Sequence, residues 1–298
     1  MKKVLFISPF KGVGDLIFHL PLMRSIFQKY KCKIFIITSL HSKAHFILKN
    51  EKYISNIFCI DTKRKKYFNK IYSLIELINR ISPDLSILTS SSKRFKIPLL
   101  LSKSHKKIFF PKYKNEELCS FLFKKFKILF PDCQISKNYS FNSYNFVKKK
   151  EVFINIDTSH NHNNWPEENY ISLINNVFIK KFKKIYINFS PRNKVFFKKI
   201  FSYYQNKNNI FFTHGYNFKK LIKVISQSHV VVGNESGPNC IAASANVPLV
   251  ISLYNSKTQK SSKAINKNVI FINSKINNLK IEKKISLHLF KMKNWELH

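Results

Sequence analysis

The stretch that most constrains the fold of this chain covers residues 230–254, VVVGNESGPNCIAASANVPLVISLY. Its first apolar run ends at Gly233 and predicts a buried strand, and residues 234–236 predict a tight turn. Residues 238–245 are typical of a short helix, since Pro238 suits a first helical turn, and residues 249–253 predict the next strand. Such a strand-turn-helix-strand unit presents free N–H groups and a positive dipole end, which favour a phosphate.

Glycine is scarce in this chain, so its positions are informative. The 298 residues include only 5 Gly, well below the usual share of about 7%. Four of them, Gly12, Gly14, Gly233 and Gly237, fall where a predicted strand passes into a predicted helix. Either the backbone approaches a ligand at these turns, or the glycines merely end strands and begin helices. The sequence leaves both explanations open.

Apolar patterns of strand and helix type alternate along the whole chain and predict parallel sheets. The remaining predicted strands are residues 3–8, 32–38, 54–60, 85–89, 107–110, 152–156, 184–189, 210–212 and 269–272. The remaining predicted helices are residues 16–29, 42–50, 67–81, 116–130, 166–180, 193–204, 218–226 and 281–295. Residues 131–150 are rich in Asn, Ser and Lys, and we place a domain boundary at residue 150. The prediction is an α/β protein with two Rossmann-like doubly wound domains, residues 1–150 and 151–298, facing across a cleft.

Composition narrows the class of protein further. Hydrophobic residues make up 44% of the chain, yet no apolar run approaches the roughly 20 residues of a membrane-spanning helix. The first apolar run is too short for a signal peptide, and the 5 Cys are odd in number and scattered. We therefore expect a cytoplasmic protein with reduced thiols.

The formal net charge of +38 at pH 7 would attract an anionic partner: a membrane surface, a phosphorylated substrate or nucleic acid. Lys is spread through the chain and no nucleic-acid motif accompanies it, so nucleic acid is disfavoured. Lys, Asn, Ile and Phe are enriched together, as AT-rich coding would produce, and that explains most of the charge without a function. The remaining expectation is peripheral association with the inner face of the cytoplasmic membrane. The sequence does not indicate an oligomeric state.

Three sequence motifs follow one another along the chain: GVGDLIFHLPLMRSI at residues 12–26, WPEENYISLI at 165–174 and NESGPNCIAASANVP at 234–248. Together they resemble glycosyltransferase family 9, the heptosyltransferases that build the lipopolysaccharide core. The resemblance implies a GT-B fold and an inverting, metal-independent glycosyltransferase without a cofactor. Its co-substrate would be a nucleotide-diphosphate sugar such as ADP-heptose. Its acceptor would be lipopolysaccharide or another lipid-linked glycan.

The first loop would supply the base, because sugar transfer with inversion needs a group that takes the proton of the acceptor hydroxyl. The resemblance implies Asp15 in this role. From spacing alone, Asp15 is better explained as the N-cap of the first helix, and the resemblance reverses that preference. Gly14 and Lys11 lie beside it in the sequence, where Lys11 would approach a phosphate.

The third stretch would bind the donor. The resemblance implies that Glu235 contacts ribose or sugar hydroxyls, while the Ser236 hydroxyl and the Gly237 N–H contact the diphosphate at the helix N-terminus. The rest of the first helical turn completes the predicted donor site: Pro238, Asn239 and Cys240.

The chain departs from the family at several positions. Cys240 stands where the family has His, and Asn163 stands where it has a donor-contacting Lys. His160 and His162 have the spacing of a metal pair, but a loop without a metal is favoured since Asp157 is the single acidic residue nearby. Three alternatives stay open: a same-fold transferase with another donor sugar, a basic nucleic-acid-binding protein, and a catalytically inactive member.

Overall fold

The computed structural model describes residues 1–9, 12–61, 67–112, 118–136, 138–141, 147–156, 165–189, 194–255 and 268–292. The chain forms two compact units, Met1–Ser143 and Tyr144–His298. Each unit contains one parallel β-sheet with helices between its strands. The first strand of the second sheet begins at Lys149, so the division lies before the predicted boundary at residue 150.

The first unit is built on a five-stranded sheet in the order β3-β2-β1-β4-β5. Its elements are β1 Lys3–Ser8, α1 Val13–Tyr30, β2 Lys33–Ser39, a 3₁₀ turn Leu40–Ser42, α2 Ala44–Leu48, β3 Ile54–Ile60, α3 Tyr67–Ile81, β4 Leu85–Leu88, α4 Lys93–Leu101, β5 Lys106–Phe109 and α5 Leu118–Leu129. All four strand pairs are parallel. The central strands β1 and β4 are buried apart from Lys3, because helices cover both faces of such a sheet.

Helix α4 is an element that the sequence analysis missed. The helix carries Pro98 in its interior, and its apolar residues do not follow one stripe, which hid the helical pattern. Phe95 and Leu99 pack into the core of the first unit, beside Leu5 and Ile7 of β1. Other apolar residues of α4 face outward.

Arg24 on α1 holds the last described segment of the first unit. Its guanidinium is buried and pairs with Glu51 at 3.0 Å. The same group donates hydrogen bonds to the backbone carbonyls of Asn138 and Ser140. Because an unpaired buried charge is costly, each of these partners helps to satisfy the guanidinium, and residues 138–140 are fixed against α1.

The second unit is built on a six-stranded parallel sheet in the order β11-β10-β9-β6-β7-β8. Its elements are β6 Lys149–Asn155, α6 Glu167–Leu173 with a π-helical turn Ile174–Phe178, β7 Lys184–Asn188, α7 Lys194–Tyr204, β8 Ile210–Phe212, α8 Phe218–Gln227, β9 Ser228–Asn234, α9 Gly237–Ser244, β10 Leu249–Tyr254, β11 Val269–Asn273 and α10 Asn278–Lys291. Its core includes Trp165 and Tyr170 together with the inward residues of the strands.

Both sheets confirm the predicted doubly wound α/β topology. In the first sheet the strand order reverses between β1 and β4, and in the second between β6 and β9. A crevice forms beyond the carboxyl ends of the strands at such a point, and ligands of open α/β sheets bind there. The loop after β1 leads to Asp15, and the turn after β9 leads to α9. Each predicted site therefore begins at a reversal point of its own sheet.

Two further expectations concern membrane-spanning helices and the state of the cysteines. None of the helices in the described part of the chain is long and apolar enough to cross a membrane. All five cysteines are free thiols, and four of them are buried.

Candidate active site

Helix α9 begins immediately beyond β9, as the pattern of residues 230–254 predicts. The turn consists of Glu235 and Ser236, because β9 extends through Asn234. Gly233, predicted to be the last residue of the strand, is its penultimate residue. A Cβ at this position would lie 2.2 Å from the carbonyl oxygen of Asn155 on β6. Glycine is therefore required here by close contact between β6 and β9.

A chain of uncharged side chains crosses the carboxyl ends of four strands and fixes this turn. The Thr213 hydroxyl donates to Asn188 at 2.7 Å, and the Asn188 amide donates to Asn155 at 2.7 Å. The Asn155 amide donates to the Ser236 hydroxyl at 2.8 Å, and that hydroxyl donates to the Asn234 carbonyl at 2.9 Å. Sequence reasoning missed Thr213, Asn188 and Asn155. The available signal was an Asn at the last position of apolar strands.

The buried Asn234 side chain joins this turn to the segment before α6. Its Oδ1 accepts a hydrogen bond from the Trp165 backbone N–H at 3.0 Å, and its Nδ2 donates to the Ile156 carbonyl at 3.1 Å. The Trp165 ring is buried and packs edge-on against Tyr170. Trp165 thus acts as a packing residue at the start of a helix, and the start of α6 is attached to the end of β9.

A small pocket opens beside the start of α9, within the second unit. Its lining residues come from the turn, α9, β10 and β11: Glu235, Ser236, Asn239, Cys240, Ala243, Ser252, Val269 and Phe271. Four of the six residues predicted at this turn as donor-binding therefore share one cavity. Gly237 and Pro238 form the first turn of the helix beside them.

Asn239 presents an acceptor in this pocket. The side chain is 4% exposed. Its Nδ2 donates to the Gly233 carbonyl at 3.2 Å and to the Ser252 hydroxyl at 3.0 Å, which determines how the amide is oriented. Its Oδ1 is buried and accepts no hydrogen bond from the described residues. A buried acceptor without a partner costs about 1–3 kcal/mol, so a ligand hydroxyl or N–H would be bound favourably here.

Ser236 differs from its predicted role. The family resemblance predicts that its hydroxyl donates to the diphosphate, but in this structure the hydroxyl donates to the Asn234 carbonyl. Ser236 is the N-cap of α9 with extended backbone, and its side chain caps no backbone N–H. The first turn of α9 contains no acidic residue. The helix dipole therefore remains available to a bound anion.

Asp15 is not the N-cap that the sequence suggested, because α1 begins at Val13, three residues before the predicted start. The N-cap is Gly12, and Asp15 is the third residue of the helix. Its Oδ2 accepts a hydrogen bond from the Gly12 N–H at 3.2 Å. A Cβ on Gly12 would approach that oxygen at 2.8 Å, so glycine leaves room for this contact. Gly14, predicted in the loop, is buried inside the helix.

The environment of Asp15 suits a proton acceptor. Burial raises the pKa of the carboxyl above its usual value, and the hydrogen bond from Gly12 opposes that rise. Among the described residues, no donor other than Gly12 reaches this carboxylate through a hydrogen bond. The capping contact uses Oδ2, and Oδ1 accepts no hydrogen bond from the described residues.

His19 is the next side chain along this face of α1. It is fully buried, and its Nδ1 donates to the Asp15 backbone carbonyl at 2.6 Å. Burial lowers the pKa of His19 to about 4, although the hydrogen bond to Asp15 opposes that shift. The folded protein therefore holds His19 neutral at pH values where the unfolded chain protonates it.

This pKa difference predicts a pH-dependent stability. We expect the free energy of unfolding to fall as pH drops from 6.5 towards about 4, because in this range only the unfolded chain binds a proton on His19. The loss is on the order of 3 kcal/mol. Urea unfolding of the wild type and His19→Gln across this pH range measures it. The variant should lose most of the slope, and equal slopes would assign the dependence to other groups.

Comparison with known proteins identifies the family. The model of glycosyltransferase family 9 (heptosyltransferase) matches residues 121–289, more than half of the chain. The chain belongs to glycosyltransferase family 9. Among curated proteins no significant sequence match is found.

Solved structures show that this family 9 glycosyltransferase has the GT-B fold. The E. coli ADP-heptose lps heptosyltransferase II has a TM-score of 0.73 at 14% identity, over 98% of this chain and 99% of that one. The E. coli heptosyltransferase WaaC with ADP has a TM-score of 0.76 at 13% identity, over 96% of this chain and 99% of that one. The Methanocaldococcus jannaschii UDP-GlcNAc 2-epimerase has a TM-score of 0.58 at 14% identity, over 99% of this chain and 94% of that one.

The structure describes some of the remaining predicted site residues and not others. Cys240, which stands at the family's His position, is buried and lines the pocket. Both carboxylate oxygens of Glu235 are buried, and its backbone N–H donates to the Leu253 carbonyl at 2.9 Å. Lys11, Asn163 and the His160–His162 pair lie outside the described residues. Among the residues that are described, no group of three His, Cys, Asp or Glu is arranged to hold a metal ion.

Proposed function

We propose that this family 9 glycosyltransferase moves a heptose-like sugar from a nucleotide-diphosphate donor to a lipid-linked glycan, with inversion and without a metal ion. ADP-heptose is the first candidate donor, since WaaC structures contain ADP and ADP-2-deoxy-2-fluoro heptose. Lipopolysaccharide is the first candidate acceptor, because heptosyltransferase II is described as acting on it.

The observation that carries the proposal is the pocket at the start of α9. It combines a helix N-terminus, a buried carboxylate on Glu235 and a buried acceptor on Asn239. A nucleotide sugar offers complementary groups, because its diphosphate is anionic and its ribose and sugar hydroxyls are donors. Binding would place the diphosphate at the N–H groups of the helix and hydroxyls at the two acceptors.

The chemistry assigns one task to each unit. Asp15 in the first unit accepts the proton of the acceptor hydroxyl while that oxygen forms a bond to the anomeric carbon. The bond between the anomeric carbon and the phosphate oxygen breaks, and the nucleoside diphosphate leaves with the electron pair. The positive end of α9 in the second unit stabilises the developing charge. Turnover unchanged by EDTA would support a reaction without a metal.

A panel of ligands tests the donor class. Compounds that bind only the folded protein stabilise it by RT ln(1 + [L]/Kd), so at equal concentration a tighter ligand raises the melting temperature more. We expect ADP and ADP-heptose to stabilise the protein more than UDP, UDP-GlcNAc or GDP-mannose at equal concentration. Stabilisation by UDP compounds alone would favour a same-fold transferase with another donor. Stabilisation by none of them, together with salt-dependent binding of arbitrary DNA, would favour the nucleic-acid alternative.

Replacing Glu235 with Gln tests the pocket directly. The change keeps the shape of the side chain but removes its charge, and a hydrogen bond to a charged group contributes about 1.5–3 kcal/mol. We expect the affinity for ADP, measured by titration calorimetry, to fall about tenfold to 100-fold. The matched control is Glu282→Gln in the same unit, whose carboxylate bonds to Ser172, Asn176 and Asn278 and does not line the pocket. Equal affinities of Glu235→Gln and the control would place the donor site elsewhere.

A further inference from the structure

Helix α4 carries apolar side chains on two faces. Phe95, Pro98 and Leu99 are buried against the first unit. The opposite side, here termed the α4 outer face, consists of Lys93, Lys96, Ile97, Leu100 and Leu101. Its three apolar side chains are 40%, 50% and 65% exposed in that order. They lie three and four residues apart, so they form one contiguous patch along the helix. A contiguous exposed apolar patch of this kind marks an interaction surface.

The charge around the α4 outer face restricts what can cover it. Residues 85–112 contain seven Lys or Arg and no Asp or Glu. Lys93 and Lys96 are exposed before the apolar patch, and Lys103 and Lys106 are exposed after it. A partner that fits must be apolar at its centre and anionic around it, which is the arrangement of an anionic lipid surface. A second copy of this chain would oppose basic residues to basic residues.

The last carbonyl groups of α4 accept hydrogen bonds from side chains of the protein and do not depend on water. The Lys107 ammonium donates to the carbonyls of Leu100 and Ser102 at 3.0 and 2.7 Å. The Ser102 hydroxyl donates to the Leu99 carbonyl at 2.7 Å. The last carbonyls of a helix otherwise rely on solvent. Shallow insertion of this end into lipid therefore leaves these three groups hydrogen-bonded.

We propose that the α4 outer face docks the protein onto an anionic phospholipid surface, with the apolar patch among the acyl chains and the flanking lysines at the headgroups. Docking at this face extends the proposed transfer to a lipid-linked acceptor. Its biological purpose rests on that proposed function. The carboxyl ends of β4 and β1, which precede α4 and α1, lie side by side in the sheet, and the Thr89 N–H after β4 donates to the Ile7 carbonyl of β1 at 3.1 Å. A lipid-anchored acceptor would therefore enter beside the proposed base.

Vesicle co-sedimentation of the full chain without donor or acceptor tests the proposal. The vesicles contain phosphatidylcholine alone or mixed with phosphatidylglycerol. We expect binding to the mixed vesicles and at least tenfold weaker binding to the neutral ones. The triple variant Ile97→Ser, Leu100→Ser, Leu101→Ser should bind mixed vesicles at least tenfold more weakly. Lys93→Gln with Lys103→Gln should bind about 25-fold more weakly, at about fivefold for each lysine near the surface.

A matched control uses α10, which also exposes Leu287 and Phe290 beside lysines. Leu287→Ser with Phe290→Ser should change vesicle binding less than twofold. Unchanged binding by both α4 variants, loss of binding by the α10 variant alone, or equal binding to neutral vesicles would overturn the proposal. A dimer of the wild-type protein in sedimentation that the triple variant no longer forms would also overturn the proposal. The lysine variant alters only exposed side chains and keeps the test valid if the triple variant fails to fold. Vesicle binding uses no sugar donor, so its outcome is separable from that of the transferase assignment.

Discussion

Replacing Asp15 with Asn is expected to lower turnover about 10²- to 10⁴-fold, the range for removing a general base, while the affinity for ADP stays within twofold. The amide no longer accepts a proton, but its oxygen still accepts the hydrogen bond from the Gly12 N–H that the carboxylate accepts at 3.2 Å. Single-turnover transfer assays and ADP titration separate the two effects. Because burial raises the pKa of Asp15, wild-type turnover should also decline on the acid side at a higher pH than an ordinary aspartate would give.

Asp84→Asn is the matched control for this change. Asp84 also accepts backbone N–H groups, from Lys2 and Lys3 at 2.6 and 3.0 Å, at the opposite edge of the same sheet. The same substitution there should leave turnover within about twofold of the wild type. If Asp15→Asn keeps near-normal turnover, the carboxylate serves the helix start alone.

Replacing Gly233 with Ala is expected to lower the free energy of unfolding by about 3 kcal/mol or more, at the upper end of the cost of overpacking. The added methyl group would lie 2.2 Å from the Asn155 carbonyl oxygen, and backbone atoms have no alternative rotamer. Relief requires β6 and β9 to separate, which also disturbs the contact between Asn155 and Ser236. Urea unfolding measures the loss, and ADP affinity should fall with it.

Gly215→Ala provides the comparison. Gly215 has a φ of +80° and no atom within 4 Å of an added Cβ. Its substitution costs only the strain of a left-handed backbone, about 1–2 kcal/mol. If both variants lose the same stability, close contact between the strands is not the reason for Gly233.

The fold was readable from the sequence because parallel strands and their helices carry strong periodic signals. The pattern placed β3 and α3 at the bounds that the structure has, and it located the turn before α9 within one or two residues. Helix α4 escaped because apolar residues on both of its sides leave no helical stripe, and Pro98 argues against a helix. The same property that hid this helix makes its outer face a candidate for lipid contact.

The site was less readable, since its contacts join residues distant in sequence. Asn155 and Ser236 are 81 residues apart and meet only because β6 lies beside β9 in the sheet. No local pattern gives that strand order. The start of α1 was misjudged because both an N-cap and a third helical residue can carry a carboxylate that accepts a backbone N–H. Gly12 takes the cap position and moves Asp15 into the helix.

The side chains that hold the turn before α9 in place have no formal charge, in a protein whose net charge is +38. Thr213, Asn188 and Asn155 orient Ser236 through neutral hydrogen bonds alone. Dissolved ions shorten the Debye length and weaken attraction between lysines and an anionic surface, but they do not screen contacts between amides and hydroxyls. Ionic strength would therefore act on the proposed docking to lipid and leave the shape of the proposed donor pocket unchanged.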